Sequence, residues 1–357
     1  MMNQAIISMD YPAVLEELKT VWKDARPYMA AHCRACRICN SVNCDMVSSE
    51  RSGSAERNYK QLQKVRLIYD TLYDGGDGTE IDASVELYGH TFRAPIMCAP
   101  FGNVHGFNPS THFEDDYLFN KALLTGCREA GIFSWTPDTL GELAYTDPLR
   151  ALKEEQGVGI PAIKSWTKEE IQKKIRMAEE VGCMAIGHDI DCVGLPYLSI
   201  NGHGKTYTKS PAQIKDIFSV AKTPYILKGI MTARGALKAM EAGASGIVIS
   251  NHAGNSMDQS LSTVEVLPAI KAAVGGRMKI FVDGGVRHGE DVFKMLALGA
   301  DAVMVGRPYL IAAEGGEARG VALYSQKLIW ELQNAMRMTG CRTLADITKD
   351  HVAITND

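Results

Sequence analysis

The chain has 357 residues, a formal charge of −4 and no long basic run, which excludes a nucleic-acid surface built on clustered Lys and Arg. No apolar run approaches the roughly 20 residues of a bilayer-crossing helix, and the N-terminus Met1-Met2-Asn3-Gln4-Ala5 lacks a charged region followed by an apolar one. A cytoplasmic protein acting on a small molecule is the expectation, with a core large enough for one big domain plus an N-terminal extension.

In chain order, residues 1–93 read as that extension. It carries His32-Cys33-Arg34-Ala35-Cys36-Arg37-Ile38-Cys39 followed by Cys44, so that four of the nine cysteines fall within twelve residues. The C-x₂-C-x₂-C-x₄-C spacing suits an iron–sulfur cluster or zinc held by thiolates; a disulfide framework does not suit a cytoplasmic chain. Free thiols in a lid, with Arg34 and Arg37 facing a ligand, are the alternative. The acidic piece Tyr73-Asp74-Gly75-Gly76-Asp77-Gly78 reads as a turn rather than a cation loop, since no further ligands are spaced around it.

From 94 to 357 the pattern alternates. Runs rich in Ile, Val and Ala at 94–100, 131–136, 158–165, 183–190, 224–228, 246–250, 279–283 and 301–305 predict strands. Amphipathic stretches such as 168–181 lie between them, and Gly131, Gly243 and Gly299 stop helices just before strands. Eight strands separated by helices predict parallel pairing and closure into an α/β (β/α)₈ TIM barrel, with 311–357 returning as terminal helices.

Two strand ends carry chemistry. Ile247-Val248-Ile249-Ser250-Asn251-His252 ends a buried run with a histidine whose ordinary pKa suits a base at neutral pH. The next strand ends in Asp283-Gly284-Gly285-Val286-Arg287, and the one after it in Gly306-Arg307-Pro308. Glycines that expose backbone N–H groups, with an arginine at each of two successive strand ends, predict a phosphate cradle.

These segments, with Ala94-Pro95-Ile96-Met97-Cys98-Ala99-Pro100, Leu227-Lys228-Gly229 and the tail Met338–Leu344, resemble the FMN-dependent α-hydroxy-acid oxidase and dehydrogenase family, from about Arg93 to Ala353. The resemblance implies that Ala99, Pro100 and Ser134 line the flavin ring, that Lys228 stands at its N1–C2 edge and that Ser250 meets the ribityl chain. It further implies that Asp283, Gly284, Gly285, Arg287, Gly306 and Arg307 bind the FMN phosphate. His252 matches the family's base, and a cation at Lys228 would stabilise reduced flavin. The family's assembly implies a homotetramer or octamer.

The departures are specific. Asn255 stands where the family has an arginine for the substrate carboxylate, the loop Asp191–Lys205 holds no second arginine, and Lys164 replaces a tyrosine. Lysine is not an equivalent fork. Lys164, Tyr197, His203 and Lys205 either form a different anion pocket or are solvated loop residues. Three functions follow: oxidation of a 2-hydroxy acid or related alcohol with His252 as base; a non-redox flavoenzyme similar to type 2 isopentenyl-diphosphate isomerase; or a metal module, resting on Cys33, Cys36, Cys39 and Cys44 alone, that relays electrons to an acceptor protein.

Overall fold

Eight short runs in which almost every residue is buried become the strands of a closed parallel barrel. The computed structural model describes residues 2–29, 53–72, 80–141, 143–195, 198 and 206–355. In chain order the strands are β1 (Val65–Leu67), β2 (Val85–Leu87), β3 (His90–Phe92), β4 (Ile96–Cys98), β5 (Phe133–Thr136), β6 (Gly159–Lys164), β7 (Ile186–Asp189), β8 (Tyr225–Lys228), β9 (Gly246–Ile249), β10 (Lys279–Val282), β11 (Ala302–Val305) and β12 (Val352–Ile354). β4 to β11 close in sequence order, β11 pairing with β4. Each of the eight falls inside one of the eight runs read from the sequence. Strands covered on both faces need no polar alternation, which is why they stand out as continuous apolar runs.

Alternation instead sorts these side chains between two apolar layers. Met97, Phe133, Trp135, Ile160, Ala162, Ile226, Val248, Phe281, Ala302 and Met304 form an inner cluster, with Leu87 and Phe92 of the β2–β3 hairpin packed onto it. Trp135 is fully buried, and a Cβ at Gly187 would come within 2.2 Å of its ring, so glycine is required there. Ile96, Cys98, Ile163, Ile247, Ile249, Ile280 and Val282 face the other way, into the layer beneath the helices.

The extension is tied to the barrel at several points. The helix Tyr11–Ala25, capped by Asp10 accepting from Ala13 N at 2.9 Å, lies against the long helix Arg307–Met338. Tyr11 stacks on Trp330 with ring centroids 3.9 Å apart and donates to Glu331 at 2.7 Å. The helix Gly53–Gln63 starts on Asp258, whose carboxylate accepts from Ser54 N at 2.7 Å, and Arg57 pairs with Glu265. β1 pairs antiparallel with β12, so chain segments from both ends of the sequence share one small sheet. Among the described residues no helix is long and apolar enough to cross a membrane.

Glu331 is a buried joint of this arrangement. Burial alone would raise its carboxyl, but His288, Lys327 and Gly289 N–H more than offset that and hold it at about 2, against an ordinary 4.5. A depressed carboxyl contributes stability that is complete above the ordinary value and is lost as pH falls through the folded value. Glu331→Gln should therefore lower stability at neutral pH by roughly 3 kcal/mol, with the gap from wild type closing as the pH approaches about 2. Thermal unfolding at a series of pH values checks this; a gap independent of pH would remove Glu331 from this role.

Candidate active site

The inner apolar layer stops at the C-terminal ends of the strands, and the next inward positions are charged. β6, β7 and β8 are neighbours whose register sets Lys164 opposite Asp189 and Asp189 opposite Lys228. All three side chains are buried. Asp189 Oδ2 accepts from Lys164 Nζ at 2.7 Å and Oδ1 from Lys228 Nζ at 3.2 Å, so one carboxylate holds two ammonium groups. Burial alone would raise the Asp189 carboxyl, but Lys164, Lys228 and His252 outweigh it and hold the group well below the carboxylate range. Burial would likewise push Lys228 down, yet Asp189 and Asp191 outweigh it and the ammonium is held up. Both charged forms are therefore the stable ones.

His252 stands beside this row. It and Ala253 both have φ of 52°, a left-handed conformation that non-glycine residues seldom adopt. The turn is held by Ser250 Oγ accepting from His252 N at 3.2 Å, and by Asn255 N and Nδ2 donating to His252 O at 3.0 and 2.9 Å. Imidazole Nδ1 lies 3.2 Å from Asp191 Oδ2 and 3.3 Å from Lys228 Nζ. One nitrogen cannot both donate to a carboxylate and accept from an ammonium, and the ammonium already has Asp189. Nδ1–H to Asp191 is the consistent assignment, which leaves Nε2 as the basic nitrogen. Burial, with Asp189 next to it, raises the Asp191 carboxyl.

A cavity of about 550 Å³ joins this corner to the strand ends of β10 and β11. Lys164, Asp189, Lys228, His252 and Asn255 line one part. Gly284, Gly285, Arg287, Gly306 and Arg307 line another, and Ala99, Pro100 and Met304 form an apolar wall. The helix Arg307–Met338 begins there, so its first N–H groups join two guanidinium residues at a ready anion site. A cavity of this size, cationic at one end and apolar along a wall, fits FMN.

Two serines expected at the flavin do not line this cavity. Ser134 lies between the inward-facing Phe133 and Trp135, so alternation turns it to the other face, where its hydroxyl donates to Trp135 O at 2.9 Å. Ser250 Oγ donates to Asp283 Oδ2 at 2.7 Å, and burial raises the Asp283 carboxyl. The glycine pair also has a packing cause. At φ of 102° and 85°, Gly284 and Gly285 sit so close to Asn58 that a Cβ on either would lie within 3 Å of it. Tyr197, His203 and Lys205, the run Cys33, Cys36, Cys39 and Cys44, and the 73–78 turn lie outside the described residues.

Residues 46–199 and 199–354 match the family model for FMN-dependent dehydrogenase. The chain belongs to that family. It is similar to the peroxisomal (S)-2-hydroxyacid oxidase GLO3 of Arabidopsis thaliana, 32% identical over 319 residues, covering 79% of this chain and 84% of the relative. The peroxisomal (S)-2-hydroxyacid oxidase GLO4 of the same plant is 46% identical over 141 residues, 39% of this chain and 38% of that one. A mandelate oxidase variant solved with an FMN adduct superposes with TM-score 0.73 at 26% identity, covering 90% of this chain and 98% of that one. Membership makes this an FMN-dependent oxidoreductase. One expectation is corrected: GLO3 and GLO4 are peroxisomal, so the cytoplasmic placement does not stand.

Sequence reasoning missed Asp189, Asp191 and Asn58. The first two left a signal, an Asp-x-Asp at the end of the fourth barrel strand, where catalytic groups of such barrels gather. Asn58 left none, because its role depends on a helix far off in sequence reaching Asn251 at 2.8 Å. For the anion end, Arg287→Met and Arg307→Met should each weaken FMN about 10- to 100-fold, the cost of a lost charged hydrogen bond. Flavin dissociation constants measured by absorbance check this, and values equal to wild type in both variants would contradict it.

Proposed function

We propose that this family member oxidises a small 2-hydroxy acid to the 2-oxo acid, with His252 as the base. The observation that carries the reading is the Asp191–His252 pair beside Lys228, in the cavity whose lining also includes the two arginines. Bound FMN would supply the two-electron acceptor for the substrate's Cα hydrogen and its bonding pair. Ala99, Pro100 and Met304 would border its ring, Gly284, Gly285, Arg287, Gly306 and Arg307 its phosphate, and Lys228 would supply positive charge near the ring.

His252 Nε2 takes the hydroxyl proton as the Cα hydrogen leaves. Asp191 fixes the tautomer that makes this possible and then stabilises the imidazolium. Lys228, kept protonated by Asp189, does not compete for that proton. The buried floor, with Met304 and Ala162 lining the cavity, limits water at the reacting carbon. An assembly of four or eight copies, and an electron-accepting protein partner, belong to the same proposal; light scattering of the purified protein tests the first.

His252→Ala should retain FMN and slow anaerobic flavin reduction by about 10²- to 10⁴-fold, the usual share of general-base catalysis. Stopped-flow bleaching of the flavin with glycolate, lactate and mandelate provides the test, and reduction at the wild-type rate would sink the assignment.

A further inference from the structure

The cavity contains the base for a hydroxyl, but the side chain expected to meet the adjacent carboxylate is occupied elsewhere. Asn255 Nδ2 is bonded to His252 O at 2.9 Å, where it closes the turn that carries the base. The two arginines of the lining, Arg287 and Arg307, belong to the anion end beyond β10 and β11. Lys228 lies 3.3 Å from the imidazole, at the place proposed above for positive charge near the flavin ring. Among the described residues, the remaining lining cation at the base's end is Lys164.

Lys164 is placed by more than its strand. Its backbone N–H donates to Asp138 Oδ2 at 2.9 Å, the same carboxylate accepts from Trp166 Nε1 at 2.6 Å, and Lys174 pairs with its other oxygen. Its ammonium is fixed by Asp189 Oδ2 at 2.7 Å, while Asp189 Oδ1 lies 3.9 Å from His252 Nδ1. One carboxylate therefore lies between the ammonium and the imidazole, and both groups line the cavity that a small 2-hydroxy acid would enter. Lys164 shares its carboxylate partner with Lys228, which also has Asp191 at 3.8 Å, and a substrate carboxylate in the cavity would add a further counterion for the Lys164 ammonium. A cation held this firmly is what an oriented substrate requires.

We infer that Lys164 anchors the substrate carboxylate in this enzyme, with Asp189 as the positioning residue that holds it within reach of His252. The inference rests on the hydroxy-acid reading above and deepens it, assigning specificity for small 2-hydroxy monocarboxylates to an ammonium on β6. A lysine is a point charge rather than a planar fork, so it attracts the carboxylate without dictating a bidentate angle.

The test is oxalate binding to the oxidised FMN enzyme, read from perturbation of the flavin spectrum, beside anaerobic reduction by 2-hydroxy acids. Lys164→Met keeps the stem and removes the charge. It should retain FMN and raise the oxalate dissociation constant about 10- to 100-fold, whereas Lys164→Arg should recover most of the affinity. If Lys164→Met leaves too little folded protein, Lys164→Met combined with Asp189→Asn, which leaves no carboxylate stranded at the row, carries the same comparison. Oxalate bound by Lys164→Met as tightly as by wild type, with both reduced by a hydroxy acid, overturns the anchor and leaves the oxidation reading intact. Lys164-dependent oxalate binding in a wild-type enzyme that no 2-hydroxy acid reduces upholds the anchor and overturns the oxidation reading.

Discussion

The site depends on one buried carboxylate shared by two lysines. An ammonium inside a protein is costly unless a partner compensates it, and removing a single partner from a buried pair leaves the other charge stranded. Asp189 meets that condition for Lys164 and Lys228 together, and it can do so only because β6, β7 and β8 are in a register that aligns all three. Barrel closure is therefore a chemical constraint as well as an architectural one. A shift of one residue in β7 would turn Asp189 out of the barrel and away from both ammonium groups.

The same row sets the roles of its neighbours. With Lys228 drawn to Asp189, Nδ1 of His252 is left to Asp191, and the basic nitrogen is the other one. The strained turn at His252 and Ala253 is held by Ser250 and Asn255, so a residue whose family counterpart would touch substrate here supports the base's backbone instead. At the substrate end, Asn255 supports the turn, and the proposed anchor role of Lys164 would supply the charge that Asn255 does not.

Legibility in the sequence followed the range of the interaction. All eight barrel strands were readable because burial on both faces writes a continuous apolar run, and the histidine and the two arginines were readable because they end such runs. The charge row was not, since Lys164 and Asp189 are separated by 25 residues and Asp189 and Lys228 by 39, and only register brings them together. Ser134 faces away from the inner layer because strand alternation between Phe133 and Trp135 turns it, which a motif match alone does not show. Gly284 and Gly285 were recognised as required, but their immediate cause is the approach of Asn58 from the helix Gly53–Gln63. The short strands β1, β2, β3 and β12, each three residues long, carry too little pattern to announce themselves.

The most direct test of the central claim is anaerobic mixing of the FMN-loaded wild-type enzyme with a 2-hydroxy acid, protiated or deuterated at Cα, while flavin absorbance and the 2-oxo product are followed together. The account predicts bleaching with one 2-oxo acid formed per flavin and a slower rate with the deuterated acid, because the Cα–H bond breaks as His252 takes the hydroxyl proton. Flavin that stays oxidised with every small 2-hydroxy acid, or bleaches without forming a 2-oxo acid, would contradict it.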